Sequence, residues 1–330
     1  MNVSVIGGGS WGLALSKVLS DNGHGVLVYD VNEKIVSKIN ELHLCVQLDE
    51  YIPENIKATT DIKEIIDFSD TLLFVVPTKV LRFAISDVLK HLKTPKLFIN
   101  AAKGIEPETF LRVSEVFKEM VDEKYLKGFV SLSGPSHAEE VIKGMTTVVA
   151  ASSENEEDGL FVQSLFHNED YFRVYSSLDL KGAELGGALK NIFALASGLI
   201  AGKGLGDNSR AALITRGLVE MEKFYNAYGA DSKSLMGLTG IGDLVVTCTS
   251  VHSRNYQAGF KIGHGKDLEE TLNSMTMVVE GIRTCEAAYK YAKEHNLELP
   301  IIEAIYNVLF HKMDPNIALK SLLSRKVKSE

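Results

Sequence analysis

A short apolar run, Val3–Ile6, passes directly into Gly7-Gly8-Gly9-Ser10-Trp11-Gly12 and then into a helix-like stretch, Trp11–Ser20. Few backbone paths satisfy that order. Gly7 permits a tight turn at the end of a strand. Gly9 removes the side chain that would hold a bulky anion off the backbone, and Gly12 lets the helix pack closely on the strand it follows. The helix then opens with unpaired N–H groups facing that anion. The G-x-G-x-x-G spacing in this strand–turn–helix setting points to a dinucleotide pyrophosphate at the head of a Rossmann-type domain.

Further apolar runs at Val26–Tyr29, Leu72–Val76, Lys96–Ile99, Phe129–Leu132 and Thr147–Ala150 alternate with helix-like segments such as Thr78–Leu92. Because these runs are continuous rather than alternating, they read as strands buried on both faces of a mostly parallel sheet. Tyr171–Tyr175 is open to reading as a last strand. Near residue 180 the character changes. Leu180–Ile200 is rich in Ala, Leu and Gly, and Asn208–Tyr228 carries Ala211, Ile214, Leu218, Met221 and Tyr225 at helical spacing. Helices are also expected over Glu280–His295, Pro300–Leu309 and Pro315–Val327. The predicted fold class is α/β: a Rossmann-type, mostly parallel sheet domain over residues 1–179, followed by an all-helical C-terminal domain over 180–330 for substrate binding and catalysis.

Composition removes several alternatives. With 45% hydrophobic and 24% charged residues the chain is an ordinary globular one. Its formal charge of -8 argues against a general nucleic-acid binder but leaves room for a small anionic ligand. Cys45, Cys248 and Cys285 have neither disulfide-framework nor zinc spacing, which suits a reducing compartment, and a cytoplasmic location is expected. No basic leader precedes the first apolar run. Ile192–Ala201, the longest apolar stretch, falls short of the roughly 18 residues a membrane helix needs, so no stable membrane insertion is expected. The histidines are scattered without ligand spacing, and no metal is expected.

Polar residues at strand ends and among small neighbours supply the chemistry. Asp30, at the end of the second strand, is placed to accept bonds from the adenosine ribose hydroxyls. Neither Val31 nor Asn32 offers a cation for a 2′-phosphate, so the cofactor reading is NAD or NADP with a lean to NAD. Lys103 follows the strand ending at Ile99, where loops of such sheets form the ligand crevice. Ser133-Gly134-Pro135-Ser136-His137-Ala138 offers N–H and hydroxyl groups to an oxyanion. His137 reads as structural or exposed rather than as a base. Lys190 lies in Ala183–Phe193, where most neighbours are small or apolar and the helix face one turn back is Gly186 and Gly187, and an amine partly withdrawn from water can serve as an acid–base group. Asp243, in the glycine-rich Gly237–Leu244, can bind a substrate hydroxyl or orient Lys190. Ser253-Arg254-Asn255 is a compact donor set in which Arg254 can grip a phosphate bidentately.

Taken jointly, these stretches resemble the NAD(P)-dependent glycerol-3-phosphate dehydrogenases of the soluble bacterial type. The matching segments are GGGSWG at 7–12, VVPTKVLR at 75–82, AAKGIE at 101–106, SGPSHAEE at 133–140 and LGGALKNIFALASG at 185–198. NSRAALITRGLVEM at 208–221, GLTGIGDLVVTC at 237–248, HSRNYQAG at 252–259 and VVEGIRT at 278–284 complete them, in the family order. The resemblance implies reversible oxidation of sn-glycerol 3-phosphate to dihydroxyacetone phosphate, run as reduction to supply glycerophospholipid synthesis, in a homodimer. It also implies roles: Ser10, Trp11 and Ala138 on the dinucleotide, Lys103 between cofactor and substrate, and Gly134 and Ser136 at the substrate. Lys190 is the implied proton acceptor, with Asp243, Ser253, Arg254 and Asn255 around the substrate; Arg254, Val278 and Glu280 border the cofactor. Many members carry His or Arg where this chain has Val31 and Asn32, which weakens the family's frequent NADP preference here. The rival is another dehydrogenase of the same architecture acting on a 3-hydroxy acid or a sugar-acid phosphate. Lys103, Asp243 and Ser253-Arg254-Asn255 discriminate against it.

Overall fold

Neighbouring residues of one strand serve two different cores. In β1 (Asn2–Ile6), Val3 and Val5 pack on one side of the sheet with Leu13 and Val18, while Ile6 packs on the other with Ile62 and Phe74. The same division separates Leu73 from Leu72 and Phe74, Leu97 and Ile99 from Phe98, and Val130 and Leu132 from Phe129. With both faces apolar, such strands lose the polar alternation of a half-exposed sheet, which is why they appear in the sequence as unbroken runs.

The computed structural model describes residues 1–275 and 278–326. Its main sheet holds β1, β2 (Gly25–Tyr29), β3 (Lys57–Thr59), β4 (Thr71–Phe74), β5 (Lys96–Asn100), β6 (Leu126–Ser133), β7 (Thr147–Ser152) and β8 (Phe172–Ser177), in the order β8-β7-β6-β5-β4-β1-β2-β3. All pairings are parallel except β6 with β7. The segment left open near Tyr171–Tyr175 is strand β8. β3, only three residues long, has no run for a sequence reading to find. A separate hairpin pairs Leu44–Cys45 with Glu50–Tyr51.

Besides a single helical turn at Ala138–Val141, the helices joining these strands are α1 (Ser10–Asp21), α2 (Glu33–Leu42), α3 (Ile62–Phe68), α4 (Leu81–Leu89), α5 (Val113–Met120) and α6 (Glu156–Phe166). The helix expected over Thr78–Leu92 is shorter, because Thr78–Val80 forms a tighter 3₁₀ turn behind Pro77 and α4 stops at Leu89. The strand order reverses at β1, which lies between β2 and β4. The loops leaving β1 and β4 therefore flank the crevice in which sheets of this kind hold ligands.

The chain divides into two compact units, Met1–Lys103 with Leu111–Glu184, and Gly104–Phe110 with the residues from Leu185 onward. The second contains helices only among its described residues. They are most of α7 (Leu180–Gly202), then α8 (Asp207–Tyr228), α9 (Asp243–Thr249), α10 (Arg254–Gly263), α11 (Leu268–Asn273), α12 (Glu280–Glu294), α13 (Pro300–Phe310) and α14 (Pro315–Leu323), with short 3₁₀ and π turns before α9. The expected end of the last helix, Val327, lies outside the described residues. α7 is longer than the apolar stretch noted in the sequence and reaches a mean hydropathy of 1.4, enough to cross a membrane by length and composition, yet 83% of that window is buried in protein. Its apolar faces belong to a core that includes Leu189, Ile192, Phe193 and Leu195.

Candidate active site

In the first unit the glycine turn has the form its spacing requires. Gly7 takes φ +118°, and its N–H donates to the Tyr29 carbonyl at 2.9 Å, tying the turn to the end of β2. A Cβ on Gly12 would overlap the Gly7 carbonyl oxygen, whereas one on Gly9 would meet nothing within 4 Å. The open space thus lies at the residue where a pyrophosphate must approach. Gly9 is the N-cap of α1 and has no side chain to cap it, and the first turn holds no acidic residue, so the N-terminal dipole suits an external anion. Ser10 is buried and Trp11 half-buried in that first turn. These features fit a dinucleotide.

Asp30 is also engaged with the turn. One carboxylate oxygen accepts the Gly8 N–H at 2.9 Å and the other the Asn32 N–H at 2.9 Å. Val31 beside it is 80% exposed. Gly7 packs against Val75 and Val76, just beyond β4. Those two residues line the turn for a reason invisible in the sequence, since β4 neighbours β1 only in the sheet.

Beyond the ends of β5 and β6, Lys103 Nζ and Ser136 Oγ both donate to the Gly134 carbonyl, at 3.2 and 2.9 Å. These three residues form one constellation. His137 opens a single helical turn, Ala138–Val141, in which its carbonyl accepts the N–H groups of Glu140 and Val141. Ala138 is buried in that turn.

In the second unit Lys190 projects from α7 onto α9. Its ammonium pairs with Asp243, and it donates to Thr247 Oγ1 at 2.9 Å. Lys190 is 6% exposed and Asp243 0%. Thr247 sits one turn after Asp243, and its hydroxyl proton goes to the Asp243 carbonyl at 2.5 Å, leaving its oxygen to accept from Lys190. α7 can come this close because Gly186 has no side chain to strike the Thr239 carbonyl and the Tyr225 hydroxyl. The chain between Gly237 and Asp243 makes one wide π turn, bent at Gly240, that delivers Asp243 as the first residue of α9. Cys248, next along, is inert: burial pushes its thiol up to about 12, although the Lys190 charge pulls the other way.

Ser253 is the N-cap of α10, accepting the Tyr256 N–H at 3.2 Å, and Arg254 is its first residue. Asn255 donates to Asn191 Oδ1 at 2.9 Å and accepts the Gly281 N–H at 2.9 Å. Lys190, Asp243 and Asn255 are thus linked through α7, and Glu280 stands beside Gly281 at the start of α12. Val278 is 40% exposed just before it. Thr247 and Asn191 were missed in the sequence. For Thr247 the signal was its i+4 spacing from Asp243 on a helix; for Asn191, only its adjacency to Lys190.

Comparison with known proteins gives the family. Residues 2–158 match the family model for the NAD-dependent glycerol-3-phosphate dehydrogenase N-terminus, and residues 179–320 the model for the C-terminus. A glycerol-3-phosphate dehydrogenase (NAD(P)+) of Staphylococcus haemolyticus is 49% identical over 330 residues, 99% of either chain. One of Acholeplasma laidlawii is 49% identical over 331 residues, 100% of this chain and 99% of that one. Among solved structures, the glycerol-3-phosphate dehydrogenase of Coxiella burnetii superposes with a TM-score of 0.93 at 31% identity, covering 98% of this chain and 99% of that one. The chain belongs to the family of NAD-dependent glycerol-3-phosphate dehydrogenases, oxidoreductases that act on glycerol 3-phosphate with NAD or NADP.

Proposed function

We propose that Lys190 is the proton donor and acceptor in the interconversion of sn-glycerol 3-phosphate and dihydroxyacetone phosphate, and that Arg254 binds the phosphate. The observation that carries this reading is the buried Lys190–Asp243 pair with Thr247 on its flank. An ammonium held on two sides cannot sweep through solvent, so its proton moves along one direction. In reduction Lys190 Nζ gives a proton to the C2 oxygen as the ketone becomes an alcohol; in oxidation it takes that proton back. A bound nicotinamide supplies or receives the hydride at C2. Asp243 orients Lys190, and Arg254 forms charge-assisted bonds with the phosphate at the start of α10. Ser253 and Asn255 complete the substrate set, with Lys103, Gly134 and Ser136.

The first unit is assigned to the dinucleotide through Gly7, Gly9, Ser10, Trp11, Gly12, Asp30 and Ala138, and the second to proton transfer. Lys103, Arg254, Val278 and Glu280 are assigned to the border of the cofactor. Asp30 opposes a 2′-phosphate by like charge, which supports NAD over NADP. The direction proposed is reduction, supplying glycerophospholipid synthesis, in a cytoplasmic homodimer. The test is reduction of dihydroxyacetone phosphate followed with NADH and with NADPH, with unphosphorylated dihydroxyacetone as control. Phosphate-dependent oxidation of NADH, faster than of NADPH, is the expected result; no phosphate dependence with either cofactor would sink the reading.

A further inference from the structure

Helices α7 and α10 meet backbone to backbone. A Cβ on Gly198 would overlap the Tyr256 carbonyl oxygen, and one on Gly259 would overlap that of Leu195. One helical turn further the contact repeats: Gly202 faces the Phe260 carbonyl, and a Cβ on Gly263 would lie 2.6 Å from the Leu199 oxygen. Along this seam the i±4 rows of the two helices interlock, with residue numbers rising together on both. Glycine weakens a helix interior by about 0.5–1 kcal/mol relative to alanine, so the interior glycines Gly198 and Gly259 need a reason in tertiary contact.

One turn towards the start of α10 the glycines give way to a polar pair. Asn191, four residues before Leu195, accepts from Asn255, four before Gly259. The Gly281 N–H bonded to Asn255 Oδ1 fixes which end of that amide faces Asn191. A Cβ on Gly281 would itself lie 2.6 Å from the Asn191 carbonyl oxygen, so this end of the seam is as closely packed as the rest. Asn191 and Asn255 are the chain neighbours of Lys190 and Arg254.

We propose that the glycine seam between α7 and α10 is the spacer that sets the separation of Lys190 from Arg254, and so selects a substrate whose reacting carbonyl and phosphate are one carbon apart. This rests on the roles proposed above for those two residues. Helices are stiff along their axes, so a side chain inserted at Gly259 tilts or lifts the start of α10 relative to Lys190. A phosphorylated ketone must satisfy both ends at once. Unphosphorylated dihydroxyacetone engages only the Lys190 end and is indifferent to the spacing.

The experiment compares kcat/KM for dihydroxyacetone phosphate and for dihydroxyacetone in the full-length wild type, Gly259→Ala and Arg254→Gln, with NADH affinity and circular dichroism alongside. Gly259→Ala is expected to lower the phosphorylated value by about 100-fold, with the unphosphorylated value and NADH affinity changed less than about threefold, the penalty of a displacement near 1 Å. A folded Gly259→Ala that lowers both values alike, or neither, overturns the spacer. Should Gly259→Ala not fold, Gly263→Ala at the far end is read in the same way, with about a tenfold selective loss expected. Arg254→Gln isolates the underlying assignment: if it does not depress the phosphorylated value selectively, the phosphate role is wrong rather than the spacing.

Discussion

Lys190 is defined by what surrounds it more than by its type. A lysine at a helix edge ordinarily keeps its head in water; this one is enclosed, with Asp243 and Thr247 as its partners. Lys190→Ala removes the proposed proton donor and acceptor but leaves the glycine turn untouched. Turnover is expected to fall by about 100-fold or more while NADH affinity, followed by fluorescence titration, is unchanged; near-normal turnover would remove Lys190 as the acid–base group. Asp30 shows how a residue can be found without its full role. Its place at the end of β2 was legible, because it follows an apolar run by the usual interval. That its carboxylate also ties down Gly8 and Asn32 was not, because the first of those bonds spans 22 residues. Asp30 therefore shapes the turn, besides the role proposed for it against a 2′-phosphate.

Helix ends show most plainly what neighbouring residues can and cannot supply. Asn32, Asp61, Asn155 and Asp314 each cap the helix they precede, a local event written in the sequence. α13 has no such residue: Leu299 cannot cap, and Pro300 lacks an N–H. The N–H groups of Ile301 and Ile302 are taken by Glu220 of α8, at 2.6 and 3.1 Å. Burial pushes the Glu220 carboxyl from 4.5 up to about 7, with its two backbone bonds and the Lys223 and Arg325 charges pulling back. Since the folded state holds this proton more tightly than the unfolded one, stability from Glu220 is gained as pH falls from 7 towards 4.5, and lost as pH rises through that window. Glu220→Gln should abolish this slope. In denaturant titrations at several pH values, the stability of wild type relative to the variant should decline across the window by on the order of 3 kcal/mol. Parallel curves would show that Glu220 does not titrate there.

At the scale of the molecule, binding and stability are linked. NADH at about 100 times its dissociation constant should stabilise the chain by about 2.7 kcal/mol, seen as a raised thermal midpoint. Gly12→Val, whose Cβ would meet the Gly7 carbonyl, should abolish that rise; a rise preserved in the variant would place the dinucleotide elsewhere. The short excursion Gly104–Phe110, which belongs to the second unit although both its flanks belong to the first, has no mark in the sequence: its membership is decided by contacts such as the Tyr228 hydroxyl on the Phe110 carbonyl at 2.6 Å. By itself the sequence determined the longer buried strands, the glycine turn and the main helices, and it singled out candidate residues for the chemistry. Each of these depends on burial periodicity or on backbone freedom within a few neighbouring positions. Only the tertiary structure decided that Lys190 meets Asp243 and Thr247, 53 and 57 residues away, that Glu220 caps α13, and that α7 and α10 close on glycine. Those pairings arise when whole elements pack, and a contact between distant residues leaves no period in the chain for a local reading to detect.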